Sequence, residues 1–289
     1  MRRALIEVVL MGAITGAIGV YIVLRGLSFI GDALSHAIFP GIVIAFLLGQ
    51  SIFIGALLFG VFTSGAIAVV AQNRRVKEDS AIGVLFAGTF ALGVVLISSS
   101  DNFTRDLASF LFGNVLGVTA NDIWLSAVVG VIVVVLIILF YRELLITSFD
   151  RAAAQAIGLP VFWLDLLLLV MISLTIVVSL RAVGNILVVA MLVTPAASAR
   201  LLTDRLLPMM LLSATIGAVS GVLGLFISYH RDVAAGGTIV LVATAIFGIV
   251  WVLAPRHGVV ASRLARRFVS KPEAAVVFES AEIRTPGAH

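Results

Sequence analysis

The sequence predicts an all-α polytopic membrane protein that crosses the membrane about eight times, with nine crossings as the alternative. Of its 289 residues, 61% are hydrophobic and only 12% are charged, whereas soluble domains carry about 25% charged residues. The apolar residues also form long runs, and a run of about 20 such residues is long enough to span a membrane.

The first span is expected to begin near the N-terminus and to be retained. A cleavable signal has a shorter apolar core than this segment and ends in a small-residue cleavage site. Glycine spacings such as Gly12/Gly16 and Gly217/Gly221 predict close helix packing within the bundle. The clear apolar runs cover residues 5–24, 81–99, 122–141, 161–180, 183–202, 207–228 and 235–253.

The segment 28–71 decides the number of crossings. The motifs "FPG" and "LGQS" interrupt it, so it holds either one span preceded by a half-helix or two spans. Basic residues collect on the cytoplasmic side, but counting them barely separates the two arrangements. Eight spans are favoured, with a broken or re-entrant helix near 28–41, because that arrangement brings Asp32 and His36 near the outer face. It places the N-terminus inside and Arg25 outside.

Residues 1–256 are expected to form the transmembrane domain, and 257–289 a polar cytoplasmic tail that is partly disordered. The net charge of +4 is explained by basic residues that flank spans, so nucleic acid is not an expected partner. The chain has no cysteine, which excludes disulfides and thiolate metal sites. Neither lysine follows a glycine, so the phosphate-binding loop of an ATPase is absent.

Asp32 and His36 in "GDALSHAIFPG" are the strongest candidates for a binding site. Ionisable side chains inside a span are costly, and residues four apart share one face of a helix. A carboxylate and a neutral imidazole can together hold Mn²⁺, Zn²⁺ or Fe²⁺. Spacing alone leaves two alternatives open, namely an Asp–His hydrogen bond that joins helices and a proton relay.

Four residues are expected to weaken or kink helices around the pathway. Proline removes a backbone hydrogen bond within a helix, and glycine lowers helix stability. Broken helices are common at the ion sites of transporters, so these positions are candidates for gating. They are Gly31, Pro40, Gly41 and Pro195.

A short helix is predicted within the polar segment 148–160. Ser148 or Asp150 can cap its start, Gly158 can end it, and Pro160 follows. A capped and stopped segment between two spans indicates a docking surface, although a simple amphipathic connector is the alternative.

Four segments resemble the membrane permease subunits of bacterial manganese, zinc and iron ABC importers. The resemblance rests on polar residues and helix breakers that punctuate the apolar helices, and it extends over roughly 5–253. One departure lies in 228–241, where Ala-Ala-Gly-Gly replaces the usual Pro-Ser/Thr-Gly of the family. The similar segments are 24–49, 75–98, 148–161 and 182–206.

The resemblance implies a fold like that of type II ABC importers, in a bacterial inner-membrane protein surrounded by lipid. It implies a homodimer of permeases, two cytoplasmic ATP-binding cassette subunits that hydrolyse ATP, and an extracytoplasmic metal-binding protein. Asp32 and His36 would hold the transported ion, with no permanently bound cofactor. Mn²⁺ is favoured over Zn²⁺ and Fe²⁺. The residues expected to contact the ATPase are Phe149, Asp150, Ala153, Ala156 and Gly158.

A function of another class stays open beside this one. The chain could act alone as a secondary metal or cation carrier, or as a channel. The two alternatives differ in whether the 148–160 segment needs a partner ATPase.

Overall fold

The computed structural model describes residues 1–72, 76–98 and 117–254 and, except at 181–183, their side chains. The described residues form twelve α-helices and no β-strand. These are α1 Arg2–Leu24, α2 Ile30–Ala37, α3 Phe39–Leu47, α4 Ile52–Val70, α5 Glu78–Ser98, α6 Ala120–Leu139, α7 Tyr141–Phe149, α8 Arg151–Ala156, α9 Val161–Val183, α10 Asn185–Leu202, α11 Leu206–Arg231 and α12 Ala235–Leu253.

Nine helical segments in this part of the chain are long and apolar enough to cross a membrane. Helices α2 and α3 together make one of them, because Ile38 between them keeps helical backbone angles (φ −77°, ψ −11°). Helix α4 is a separate span after a turn in which Gly49 has φ +65°, a conformation that glycine adopts readily. Segment 28–71 therefore supplies two spans, and the nine-span alternative replaces the favoured count of eight.

The placement of Arg25 and segment 148–160 on opposite sides is also corrected. Its guanidinium donates hydrogen bonds to the Thr147 and Ser148 hydroxyls of α7, so the α1–α2 turn lies at the same end of the bundle as 148–160. Helix α1 crosses once between the N-terminus and Arg25, so the N-terminus lies at the end of the bundle opposite to 148–160. With 148–160 on the cytoplasmic side, which stays a prediction, the N-terminus lies outside. Asp32 and His36 lie in the first half of the α2–α3 span, toward the end of the bundle where 148–160 lies. The predicted cytoplasmic side of 148–160 therefore does not agree with the predicted position of Asp32 and His36 near the outer face.

The centre of the bundle is formed by α1, α2–α3 and α9, whereas α5 and α12 expose most of their surface. Glycines let α1 and α11 touch through their backbones, as their spacing predicts. A Cβ on Gly12 would lie 2.7 Å from the Ala218 nitrogen, and one on Gly217 would lie 2.5 Å from the Gly12 carbonyl oxygen.

The domain boundary near residue 256 and the tail at 257–289 lie outside the described residues. Their expected character stays a prediction.

Candidate metal-ion site and coupling segment

The Asp32–His36 pair lies on one face of α2, with Asp32 in the first turn and His36 in the last. His36 Nε2 is 3.6 Å from Asp32 Oδ1, which is longer than a hydrogen bond. The Asp32 side chain is 49% exposed and that of His36 27%. Both side chains are therefore accessible to an ion, and the Asp32 carboxylate can also face a second protein chain.

The imidazole of His36 is held by two neighbouring helices. Its ring centroid lies 5.8 Å from that of Phe86 and 5.4 Å from that of Phe90, both on α5. On α10, the amide nitrogen Nδ2 of Asn185 lies 3.1 Å from His36 Nε2. These contacts fix the ring so that Nε2 faces both Asp32 and Asn185.

One chain offers few ionisable ligands at this point. Among the residues that the structure describes, no group of three or more His, Cys, Asp or Glu side chains could hold a metal ion. Asp32 and His36 alone form a weak site, since structural zinc sites use four protein ligands. Other oxygen or nitrogen donors must complete the coordination of any ion held here.

The four residues expected to weaken helices all lie within regular helices. Gly31 is inside α2, where a Cβ would lie 3.3 Å from Leu192 of α10. Pro40 occupies the first turn of α3, where proline is tolerated, and Pro195 is inside α10. Gly41 allows α3 to approach the Gly55 carbonyl of α4. Gly31 and Gly41 allow close helix packing, and the role of all four positions in gating stays a prediction.

Helix α8 forms the middle of segment 148–160. Asp150 caps it, because its Oδ1 accepts a hydrogen bond of 2.9 Å from the Ala153 backbone nitrogen. Gly158 ends it with φ +79°, as expected from its position. The buried Ala154 packs against the bundle. All five residues expected to contact an ATPase are exposed: Phe149, Asp150, Ala153, Ala156 and Gly158.

A partly buried ionic cluster joins this segment to α9, to the start of α5 and to the end of α1, just before the turn that leads to α2. Asp165 of α9 bonds through one carboxylate oxygen to Arg25, at 2.5 Å, and through the other to Arg151 of α8. Arg151 also lies 2.9 Å from Glu78 at the start of α5. The Arg25 and Asp165 side chains are only 7% and 6% exposed. We call these four residues the Arg25–Asp165 cluster.

Sequence reasoning missed this cluster and the role of Asn185 beside His36. A signal for Asp165 was present, because it is a lone acid within the apolar run "VFWLDLLLLV", and an acid in a span usually has a partner. Nothing in the sequence names that partner, which is 140 residues away.

Comparison with known proteins agrees with this architecture. The profile described as the ABC 3 transport family matches residues 1–254, which is most of the chain and includes both α2 and α8. The chain belongs to the ABC 3 transport family. Members of this family are permeases, and with nine apolar helices in its described part the chain is a multi-pass protein of the bacterial plasma membrane.

Individual relatives of this ABC 3 member match over nearly their whole length. A manganese transport system membrane protein of Halalkalibacterium halodurans is 49% identical, covering 90% of this chain and 89% of its own. A chelated iron transport system membrane protein of Yersinia pestis is 38% identical, with 86% and 83% covered. A chain of the solved structure of PsaBC from Streptococcus pneumoniae in complex with Fab is 42% identical to this chain, with a TM-score of 0.79. The match covers 92% of this chain and 94% of the solved chain.

Proposed function

We propose that this chain is the permease subunit of an ATP-driven importer of a divalent transition-metal ion, with Mn²⁺ the favoured cargo and Zn²⁺ and Fe²⁺ the alternatives. The observation that carries the proposal is the accessible Asp32–His36 pair on α2 in a chain of this family. Carboxylate oxygen suits Mn²⁺, and imidazole suits several divalent metals. The manganese and iron systems named among the relatives support this class of cargo.

The proposed assembly contains two copies of this chain, two ATPase subunits and an extracytoplasmic metal-binding protein. The half-exposed Asp32 supports the second copy, because a facing chain can supply the donors that one chain lacks. The exposed Phe149 and the capped helix α8 support a docked ATPase. ATP hydrolysis then belongs to that partner, since the sequence of this chain has no phosphate-binding loop.

The Arg25–Asp165 cluster supplies a route from the ATPase to the ion. Closure of the ATPase dimer displaces α8, and Arg151 on α8 transmits the displacement to Asp165. Asp165 is bonded to Arg25, which directly precedes Gly26 in the turn leading to α2. Gly26 has φ +71°, a backbone that L-residues with side chains rarely adopt. Movement of this turn shifts α2 and changes the geometry of Asp32 and His36.

Uptake of radioactive Mn²⁺, Zn²⁺ and Fe²⁺ into proteoliposomes that contain the chain with its ATPase, supplied with the extracytoplasmic metal-binding protein, tests the proposal. We expect ATP-dependent accumulation, with Mn²⁺ transported best. Asp32→Ala, Asp32→Asn and His36→Ala should each lower uptake at least about tenfold, because even outer partners of metal ligands contribute that much.

His230→Ala is the matched control, because this imidazole is exposed at the end of α11 and its loss should leave uptake unchanged. Uptake by the chain alone along an ion gradient would instead establish a secondary carrier or channel. Uptake that survives the loss of both Asp32 and His36 would refute the site.

A further inference from the structure

His36 directs a single ring nitrogen toward both polar neighbours. Its Nε2 lies 3.6 Å from Asp32 Oδ1 and 3.1 Å from Asn185 Nδ2. An amide N–H can only donate, so Nε2 accepts this hydrogen bond through its lone pair. That lone pair is the one a metal ion needs, and Asn185 and an incoming ion therefore compete for it.

The other atom of the same amide has no partner. Asn185 is only 5% exposed, and its Oδ1 is buried without a hydrogen bond. A buried polar atom that stays unpaired is costly, and such an atom in a folded protein usually marks a functional group or a missing ligand. This unpaired oxygen belongs to the same amide whose nitrogen contacts His36, a candidate ligand of the ion. The amide of Asn185 therefore lies beside the candidate ion site.

The backbone holds Asn185 at this position. Gly184 separates α9 from α10 with φ +80° and ψ 162°, in the left-handed region that favours glycine. Asn185 is the first residue after this break. Further along α10, Leu192 packs on Gly31 of α2, which keeps the two helices together on the side where His36 lies.

We propose that Asn185 is a further ligand of the transported ion and biases the site toward Mn²⁺. This inference rests on the proposed function, in which Asp32 and His36 bind the ion. A half-turn of the amide exchanges Nδ2 and Oδ1, so the oxygen replaces the N–H beside His36 Nε2 and meets the ion. The set then has two oxygen donors and one nitrogen, and carboxylate and carbonyl oxygens suit Mn²⁺ better than Zn²⁺, which favours tetrahedral nitrogen and sulfur ligands.

Equilibrium metal binding to the purified transporter, assembled with its ATPase, tests this role without relying on transport. Free Mn²⁺ is measured by electron paramagnetic resonance, and Zn²⁺ affinity by competition against Mn²⁺. We expect Asn185→Leu to weaken Mn²⁺ binding about tenfold and Zn²⁺ binding much less. Asn185→Asp keeps an oxygen donor and should keep Mn²⁺ binding. Asn121→Leu, at an exposed amide near the start of α6, should change neither.

An unchanged Mn²⁺/Zn²⁺ affinity ratio in Asn185→Leu would overturn the inference, as would an equal loss of Mn²⁺ binding in Asn185→Asp. Asn185→Ser, which also removes the amide oxygen, carries the same expectation if the leucine variant does not assemble. Asp32→Ala, measured in parallel, separates the two proposals. If Asp32→Ala leaves binding intact, the proposed site itself fails. If it abolishes binding while Asn185→Leu has no effect, only the role of Asn185 fails.

Discussion

Arg25 and Asp165 form a buried ion pair beside segment 148–160, which is expected to meet the ATPase. At this position the ion pair has two separate roles. It has to neutralise charges that are removed from water, and in the proposed mechanism it also has to transmit motion from α8 to α2. Variants that remove one partner or both distinguish these roles.

Asp165→Ala should lower the free energy of unfolding by about 3–5 kcal/mol, because it leaves the buried Arg25 without its carboxylate. Thermal unfolding of the purified chain measures this loss. Arg142→Ala removes an exposed arginine on α7 and serves as the control with little expected effect. An unchanged melting temperature in Asp165→Ala would mean that Arg25 finds another partner or water.

The double variant Arg25→Met/Asp165→Leu should recover most of that stability, since apolar side chains can replace a buried ion pair without loss. It should still fail to couple ATP hydrolysis to uptake, because Arg151 no longer has a link to Arg25. Rates of ATP hydrolysis and of Mn²⁺ uptake by the same proteoliposomes check this. Normal coupling would exclude the cluster as the route of transmission.

For individual residues, the sequence predicts interacting pairs whose members are close along the chain. Asp32 and His36 are four residues apart, so helix geometry alone puts them on one face. Asn185 lies 149 residues from His36, and Arg25 lies 140 from Asp165. Such partners are set by how α1, α2, α9 and α10 pack, which local pattern does not contain.

The helices of the bundle differ in how much their sequences reveal. Helix α8 carries its own start and stop, in Asp150 and Gly158, and its position follows from capping rules. Apart from α6, where Thr119 and Asp122 form a capping box, the described apolar spans show no side-chain cap, and glycine spacing was the main guide to their packing. The close packing predicted from glycine spacing is confirmed for α1 and α11, where backbone contact leaves no room for a Cβ.

Gly217→Ala should destabilise the α1–α11 crossing by about 1–3 kcal/mol, the usual effect of overpacking. Its new methyl group would lie 2.5 Å from the Gly12 carbonyl oxygen, so the helices must separate. Gly248→Ala in α12 is the matched control, because a Cβ there meets nothing within 4 Å, and alanine favours a helix. The melting temperature should therefore fall in Gly217→Ala and stay the same or rise in Gly248→Ala.

For the whole molecule, the number of crossings depended on a segment that contains almost no charge. The two arrangements of 28–71 differ in the side assigned to only Arg2, Arg3 and Arg25, too few for the positive-inside rule to separate them. The turn at Gly49 and the hydrogen bonds of Arg25 separate the two arrangements, which the distribution of charge did not do. The class of protein, by contrast, followed from composition alone.

The orientation can be tested with introduced thiols, because the natural chain has no cysteine. Arg3→Cys and Gln155→Cys replace exposed side chains near the N-terminus and on α8. We expect a membrane-impermeant maleimide added to intact cells to label the first and not the second. Both become accessible after the membrane is permeabilised. Protection of both thiols in intact cells would restore the eight-span arrangement.

The exposure of the Asp32 carboxylate also affects how long an ion stays bound. An ion held by few side chains, one of them half exposed, occupies a shallow free-energy well, and differences in affinity are expressed mainly in the rate of dissociation. Its dwell time is therefore short compared with that of an ion in a closed four-ligand site. In the proposed importer, the rate of uptake is then limited by how often the ATPase cycle reopens the pathway, and not by release of the ion from the site.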